Sequence, residues 1–566
     1  MLIFKTKAAG KISEAIKNLW EQDVSPIDVS DMLEYPPDSS MGDVALPCFK
    51  LSKTLKKSPV MIADALKDAI ADPIFYNVES VSGYLNLTAS SSFLKDALLE
   101  IIDEGDRYGS SDKGKGKTVV FDYSSPNVCK PFHIGHLGST VIGHALKKIH
   151  EFEGFRCVGI NHLGDWGTQF GKQIVAFRKW GDRETVEKIG IDELVRLYVK
   201  FHAEAEKDPS LDDEARAEFH KLEEGDPENL ALWQWFLEVS IAEYKRTYRQ
   251  LDIVFDSYKG ESFYTDKMPA QVQKLRDMGL LKLDNGASIV DLEQYGMPPC
   301  LILRSDGSTL YPTRDIAAAV YRKQTYDFDK CVYVTSAQQI LHFSQWFKVV
   351  ELMGYDWYDE LVHVPYGTVS IDGAKLATRT GNVVLLKDLF KMSVDKVKDI
   401  IREKNPDLEN VEETAEAVGV GAIVFLYLSN NRIKDINFNL ENALSFDGNT
   451  GPYAQYTYAR TCSVLEKEKP LGSRGTVTVP EEAEVIKSLL KFPEKVAQAL
   501  EDYEPSVITR FIIEVCTSFN RFYHSCQILK ADDPDVKDFR LSITLAVNNV
   551  LRTALHLICM KTPNKI

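Results

Sequence analysis

A strand, a loop and the start of a helix follow one another in the stretch TVVFDYSSPNVCKPFHIGH, residues 118–136. The β-branched and aromatic run 118–123 is typical of a buried strand, and the apolar spacing of 137–152 predicts a helix directly after the loop. In a parallel α/β sheet, such a loop and helix start place backbone N–H groups where a polyphosphate binds. The stretch therefore predicts a nucleotide-binding α/β unit.

Further strand candidates alternate with helical patterns after this unit, and they lie at 156–161, 300–304, 330–335 and 361–364. This alternation predicts a Rossmann-type parallel sheet. A long charged stretch at about 184–251 interrupts the alternation, and we interpret it as a helical insertion.

Both flanks of the predicted sheet domain differ from it. The first hundred residues indicate a small α+β domain, with helical patterns at 11–20 and 58–71 and a strand at 78–87. After about residue 395 strand signals fade, and helices are predicted at 482–500, 507–522 and 541–557. We therefore predict three domains: a small α+β domain at 1–112, an α/β domain with a helical insertion at 113–395, and an all-α domain at 396–566.

Composition and charge restrict the cellular location and the kinds of partner. The chain has no run of eighteen apolar residues and no apolar segment long enough for a signal peptide, so a cytoplasmic protein without a membrane span is expected. The formal net charge is −16, but residues 451–566 hold 15 Lys+Arg and 14 Asp+Glu, a net of +1. A nucleic-acid partner is therefore compatible with the sequence if it binds through confined basic patches.

The nine cysteines are scattered and form no C-x-x-C pair. This spacing argues against a disulfide scaffold and against a clustered zinc site. We expect reduced thiols that mostly fill the core.

The two histidines of His133-Ile-Gly-His136 are the first candidates for chemistry. Their imidazoles can donate hydrogen bonds to a triphosphate as charge develops at the α-phosphorus. Gly135 has no side chain, so an adenine ring can lie directly against the backbone. The alternative is that both histidines only cap the helix or fill the core.

His-Ile-Gly-His after such a strand resembles the signature of class I aminoacyl-tRNA synthetases. The surrounding Ser-Pro-Asn-x-x-Lys-Pro-x-His-x-Gly-His-Leu resembles the arginyl branch of that family. The resemblance continues in three further blocks, which are Asn161–Gly171, Tyr311–Asp315 and Ser336–Gln339. It implies activation of arginine with ATP and Mg²⁺, transfer to the 3′-terminal adenosine of tRNA(Arg), and a monomer without zinc. His133, His136 and Lys130 are implied as catalytic residues.

An arginine substrate presents five donors in a planar fork, which carboxylates bind bidentately. In the family's pattern Glu261 and Asp315 contact the guanidinium of the substrate. Tyr311 and Gln339 complete the wall of the arginine pocket. Ser125 and Asn127 are implied to hold the amino end of the substrate. The alternatives are that Asp315 caps a helix at 315–324 and that Glu261 is a surface carboxylate.

The second family signature departs from its usual form. It falls on Lys375-Leu-Ala-Thr378-Arg379, where Thr378 replaces the usual second lysine. Lys375, Thr378 and Arg379 are implied ATP contacts, and the family pattern transfers the missing charge to Lys130. Position 138 also departs, because glycine stands where relatives usually carry arginine. These departures leave the reaction class unchanged.

The segment Phe446–Arg460 resembles the start of the family's anticodon-binding domain. Aromatic residues beside a basic residue suit base stacking next to phosphate contacts, and the tRNA candidates are Tyr453, Gln455, Tyr456 and Arg460. Packing within a helix bundle is the alternative for each of them. The N-terminal domain resembles the unit that arginyl enzymes place against the tRNA elbow.

Two other function classes stay open from the sequence. A small-molecule nucleotidyltransferase would share the His-x-Gly-His site but would not need the helical region after residue 395. A catalytically silent tRNA- or arginine-binding protein would explain Thr378 and Gly138. A cysteinyl enzyme is disfavoured because clustered zinc ligands are missing from the sequence.

Overall fold

The computed structural model describes residues 1–371, 374–375, 384–472 and 474–566, and for Ser39, Ile371, Ala374 and Lys375 it describes the backbone alone. The strands are β1 Val44–Pro47, β2 Phe75–Val81, β3 Tyr84–Ala89, β4 Thr118–Asp122, β5 Arg156–Ile160, β6 Leu281–Asp284, β7 Ala287–Val290, β8 Cys300–Leu303, β9 Lys330–Ser336, β10 Leu361–Tyr366, β11 Val369–Ile371, β12 Ala374–Lys375 and β13 Ile436–Phe438.

The helices up to the end of the insertion are α1 Leu2–Trp20, α2 Pro26–Met32, α3 Ser52–Leu55, α4 Pro59–Ala69, α5 Ser91–Glu104, α6 Ile134–Phe152, α7 Thr168–Trp180, α8 Arg183–Ile189, α9 Ile191–Ala205, α10 Ser210–Glu223 and α11 Pro227–Gln250. The later helices are α12 Met268–Asp277, α13 Tyr311–Tyr326, α14 Ile340–Leu352, α15 Leu386–Lys404, α16 Val411–Leu428, α17 Leu440–Ala443, α18 Gly451–Lys467, α19 Pro480–Leu489, α20 Phe492–Glu501, α21 Ser506–Ser525 and α22 Pro534–Leu557.

A four-stranded parallel sheet forms the centre of the catalytic domain, with the order β10-β9-β4-β5. The chain leaves β4 towards β5 on one side and leaves β9 towards β10 on the other side. A crevice therefore opens between β4 and β9 at their carboxyl ends, where ligands bind in this fold class. The predicted Rossmann-type sheet is confirmed, and α8 to α11 form the predicted helical insertion.

The predicted strand at 300–304 does not belong to this parallel sheet. It forms β8, which pairs antiparallel with β7 in a separate three-stranded sheet. A short apolar run indicates a strand but not its partner, because pairing depends on residues that are distant in the sequence. The assignment of this strand to the parallel sheet was wrong.

The N-terminal domain contains a hairpin where the sequence predicted one strand at 78–87. β2 and β3 are joined by Ser82 and Gly83, which both have positive φ, 50° and 85°. Two positive φ values suit a tight hairpin turn, and glycine adopts them at little cost. The two strands and β1 form a sheet of order β1-β3-β2.

The C-terminal region is almost entirely helical, as predicted. The expected single helix at 482–500 is divided into α19 and α20, and Pro493 stands in the first turn of α20. Proline suits the first helical turn but cannot continue a helix through its own N–H. None of the helices in the described ranges is long and apolar enough to cross a membrane.

Candidate active site

The helix α6 begins at the carboxyl end of β4, and its first turn contains both signature histidines. His133 is the N-cap, and its Nδ1 accepts a hydrogen bond from the Gly135 N–H at 3.1 Å. The Nδ1 of His136 accepts from the His133 N–H at 3.2 Å. The two rings lie 3.9 Å apart between centroids. A side chain on Gly135 would collide with the His133 ring, so the close approach requires glycine.

Both imidazoles are neutral near pH 7. Burial, assisted by the Lys130 charge, lowers the pKa of His133 to about 4. Burial, assisted by the neighbouring His133 and by Lys130, lowers the pKa of His136 to about 3. Since each Nδ1 accepts a backbone hydrogen bond, each neutral ring carries its proton on Nε2. Helix capping and ligand binding are therefore compatible, because Nδ1 of each ring accepts a backbone hydrogen bond while Nε2–H remains a donor for a ligand.

The loop between β4 and α6 has an unusual backbone. Ser124, Ser125 and Cys129 have positive φ values of 70°, 47° and 61°, which are costly for residues with a side chain. Helix α11 of the insertion supports this loop, since the Tyr244 hydroxyl donates to the carbonyls of Asn127 and Lys130 at 2.8 and 2.9 Å. The insertion therefore fixes the loop on which several predicted site residues lie.

Three predicted residues lie on this loop. The Ser125 hydroxyl donates to Asp122 at 2.9 Å and accepts from the His162 N–H at 3.1 Å. Asn127 and Lys130 are exposed, and the backbone of Asn127 pairs with that of Gly164. The loop thus lies beside the segment that follows β5.

Carboxylates gather next to that segment. The Glu261 N–H donates to the Leu163 carbonyl at 3.0 Å, and the Glu261 carboxylate binds the Arg314 guanidinium at 2.8 Å. Asp165 lies beside them, where it accepts from the N–H and hydroxyl of Ser262 at 2.8 and 2.7 Å. Burial raises the pKa of Glu261 to about 7, with Arg314 acting in the opposite direction. Glu261 is therefore not a surface carboxylate.

Asp315 lies inside α13, four residues after the helix begins at Tyr311, so it does not cap that helix. Its carboxylate binds Nε2 of His342 at 2.6 Å. Tyr311 is 65% exposed and Gln339 is also exposed. Asp315 is close enough to Glu261 to raise its pKa, and Gln339 follows the carboxyl end of β9. The roles of Asp315, Tyr311 and Gln339 towards a substrate stay predictions.

Thr378 and Arg379 of the second signature lie outside the described residues, and so does the side chain of Lys375.

At Gly138 the structure explains the departure from the family pattern. A Cβ at this position would lie 2.5 Å from the Tyr427 hydroxyl and 3.0 Å from the Tyr366 ring. The space that a longer side chain would need is filled by two tyrosines.

The C-terminal candidates fall into two groups. Gln455 is fully buried, and its amide donates to the carbonyls of Ala417 and Lys561 at 3.0 and 2.8 Å. Its prediction as a tRNA contact is corrected, since its polar group joins three parts of the helical domain. Tyr453 accepts a hydrogen bond from Asn520 and packs in the bundle.

Tyr456 and Arg460 line an open cavity of about 380 Å³ together with Tyr523. The Arg460 guanidinium lies 5.2 Å from the Tyr456 ring centre and 4.8 Å from the Tyr523 ring centre. Sequence analysis did not single out Tyr523, because it is 67 residues away from Tyr456.

Arg314, His342 and Asp165 were also missed as site residues. Each stands inside or close to a block that the sequence analysis quoted, but nothing local shows which carboxylate each one faces. Among the described residues, no cluster of three or more His, Cys, Asp or Glu side chains is arranged to hold a metal ion.

Comparisons with known proteins cover the whole chain. Family models described as "tRNA synthetases class I (R), catalytic domain", "DALR anticodon binding domain" and "Arginyl tRNA synthetase N terminal domain" match residues 97–440, 454–566 and 6–89. The chain is 49% identical to the arginine–tRNA ligase of Alkaliphilus metalliredigens, with 100% of both chains covered. It is 50% identical to that of Clostridioides difficile, with 98% of this chain and 99% of the relative covered. The solved Thermus thermophilus arginyl-tRNA synthetase has the same fold, with a TM-score of 0.82, 24% identity and 99% coverage of each chain.

Proposed function

Because this chain belongs to the arginyl-tRNA synthetase family and is an arginine–tRNA ligase, we propose that the crevice between β4 and β9 is where it binds arginine and ATP. Glu261 and Asp315 would bind the substrate guanidinium, and Tyr311 and Gln339 would line the wall. Ser125 and Asn127 would hold the amino end of arginine. His133, His136, Lys130 and Gly135 would contact ATP, together with Lys375, Thr378 and Arg379.

One observation supports the arginine pocket above all others. Asp165 and Asp315 both act on Glu261 by raising its pKa, and in the described part of the chain Arg314 is the one Lys or Arg side chain that forms an ion pair with any of the three. A pocket with three carboxylates and one resident cation favours a ligand with a further positive charge. A planar guanidinium can bind two carboxylates at once.

The proposed first step is attack of the arginine carboxylate on the α-phosphorus of ATP, which forms arginyl-adenylate and releases pyrophosphate. The Nε2–H groups of His133 and His136 would donate to the phosphate oxygens, and Lys130 would add positive charge. Mg²⁺ would arrive on the ATP phosphates and neutralise part of their charge. The terminal adenosine of tRNA would then attack the carbonyl of the adenylate.

The whole-chain match disfavours a small-molecule nucleotidyltransferase, because such an enzyme does not need an anticodon-binding domain.

We propose that tRNA(Arg) lies along all three domains, 1–112, 113–395 and 396–566, and that the enzyme acts as a monomer in the cytoplasm. In the N-terminal domain the exposed rings of Phe49 and Tyr84 lie 5.4 Å apart, and Lys53 and Lys56 follow Phe49 closely in the sequence. Aromatic rings beside lysines suit a nucleic-acid surface.

The charging assay that tests the function uses total tRNA and each labelled amino acid in turn. We expect ATP-dependent charging with arginine and background levels with lysine and the other amino acids, because lysine cannot bind two carboxylates through a planar fork. Loss of arginine charging in His133→Ala and His136→Ala, with charging in the parent, would exclude a silent binding protein. Charging with a different amino acid would refute the proposed substrate.

A second prediction concerns the cavity beside Arg460. We propose that a tRNA base stacks on Tyr456 or Tyr523 there, with Arg460 near the phosphates. Tyr523→Ala is expected to raise KM for tRNA by about 5- to 150-fold, the range that corresponds to one lost stacking contact. The KM values for ATP and arginine should not change.

Tyr358→Ala is the matched control, because Tyr358 is similarly exposed but directly precedes β10 in the α/β domain, whereas Tyr523 lies on α21. It should leave KM for tRNA unchanged. If Tyr523→Ala and Tyr358→Ala gave the same KM for tRNA, the cavity would not be a base-binding site.

A further inference from the structure

Each of the two carboxylates proposed to bind the substrate guanidinium already contacts a side chain of the chain itself. Oε1 of Glu261 binds Nη1 of Arg314 at 2.8 Å, and Oδ2 of Asp315 binds Nε2 of His342 at 2.6 Å. Both contacts use one oxygen of the carboxylate. The second oxygen of each carboxylate has no side-chain hydrogen bond in the described residues.

Arg314 is itself held inside the site. Its side chain is 13% exposed and that of Glu261 is 16% exposed, so neither charge is well solvated. The Nε of Arg314 is buried and has no hydrogen-bond partner among the described residues. Its guanidinium lies 5.7 Å from the ring centre of Tyr311. Glu261 is the carboxylate that contacts this buried cation directly, and Asp165 is close enough to interact with it through its charge. A buried ion pair of this kind is costly to break, because either partner alone would be left uncompensated.

Resting on the arginine pocket proposed above, we propose that Arg314 is a positioning residue for arginine recognition, which holds Glu261 by one oxygen so that the other oxygen meets the substrate guanidinium. His342 holds Asp315 in the same way. Two carboxylates fixed at one oxygen each offer the two parallel acceptors that a planar guanidinium needs.

The proposed role of Glu261 makes kcat/KM for arginine depend on pH. Burial raises the pKa of Glu261 to about 7. Of the charged groups that face Glu261, Arg314 lowers this pKa, and Asp165 and Asp315 raise it. A carboxylate with this pKa loses its charge as the pH falls below 7, so kcat/KM for arginine should fall up to tenfold per pH unit there. His133, His136 and His162 have pKa values of about 4, 3 and 4, so they do not titrate in this range.

Burial raises the pKa of Glu261, and the Arg314 charge opposes this rise. Without Arg314 the pKa of Glu261 should therefore rise further. In Arg314→Gln we expect KM for arginine to increase about 10- to 150-fold at pH 7, as for a lost hydrogen bond to a charged group. The loss should shrink as the pH is raised to 9, while kcat changes by less than about threefold. Arg314→Lys keeps the charge but not the fork, so it should keep the pH midpoint of the parent with a higher KM.

The experiment measures arginine-dependent ATP–pyrophosphate exchange with saturating tRNA between pH 6 and 9. Arg276→Gln, an exposed arginine on α12, is the matched control and should behave as the parent. An equal loss at every pH would assign Arg314 a merely structural role, and tighter arginine binding would make it a competitor of the substrate. Either result overturns the inference, and if Arg314→Gln does not fold, the unchanged midpoint of Arg314→Lys decides it.

Glu261→Gln separates this inference from the proposed pocket. If Glu261→Gln leaves KM for arginine unchanged, the pocket itself is refuted and Arg314 has nothing to position. If Glu261→Gln is impaired and Arg314→Gln is not, the pocket stands and only the positioning role of Arg314 is overturned.

Discussion

Asp315→Ala is expected to lower kcat/KM for arginine by about 30- to 5000-fold. The substitution leaves a buried guanidinium with one carboxylate instead of two, which costs about 2–5 kcal/mol, and 1.36 kcal/mol corresponds to a factor of ten. His342 also loses the acceptor that lies 2.6 Å away in the parent. Steady-state charging of tRNA with arginine, measured over a range of arginine concentrations, gives the ratio directly.

Two further variants separate charge from shape at this position. Asp315→Asn keeps the volume and an acceptor for His342 but not the negative charge, so it should be nearly as impaired as the alanine variant. Asp306→Ala changes an exposed aspartate in the turn before α13 and should behave as the parent. An Asp315→Ala enzyme within a factor of two of the parent would refute the assignment of this carboxylate to the substrate.

His136→Ala is expected to slow adenylate formation by about 100- to 1000-fold, the usual effect of removing one preorganised donor to a developing charge. In the structure, Nδ1 of His136 accepts from the His133 backbone, so the Nε2–H is the atom available to the phosphates. Single-turnover measurement of adenylate formation with saturating ATP and arginine isolates this step from product release.

The two nitrogens of His136 can be tested separately. Asparagine places an acceptor near the position of Nδ1, and glutamine places a donor near the position of Nε2. His136→Asn should therefore keep the thermal stability of the parent but be as slow as the alanine variant. His136→Gln should recover part of the rate and lose about 1 kcal/mol of helix capping. If His136→Asn were fast and His136→Gln slow, the ring would serve the helix and not the phosphates.

The confirmed predictions rest on local patterns. Thr118–Asp122 forms a buried strand, and His133 begins α6, because the apolar run, the loop and the helix start are adjacent in the chain. Family identity is also confirmed, since the blocks that carry it are continuous segments. The capping role and the chemical role of the histidines were stated as alternatives, but in the structure the backbone hydrogen bonds use only Nδ1 of each ring. Nε2 of each ring is therefore left for the proposed chemical role.

The errors and omissions concern pairing between distant residues. β8 was assigned to the parallel sheet, Gln455 was named as a tRNA contact, and Arg314 and His342 were not singled out. A strand's partner, the burial of an amide and the partner of a charged side chain each depend on packing across many residues, which overrides local preference.

The sequence by itself determined the strand–loop–helix unit, the helical C-terminal region and the family, because hydrophobic periodicity and continuous motifs are local properties. Tertiary structure alone decided that Arg314 faces Glu261 and that His342 faces Asp315, over separations of 53 and 27 residues. Ion pairs between buried groups depend on distances of a few ångströms, and those distances exist only after the sheet, α13 and α14 have packed together.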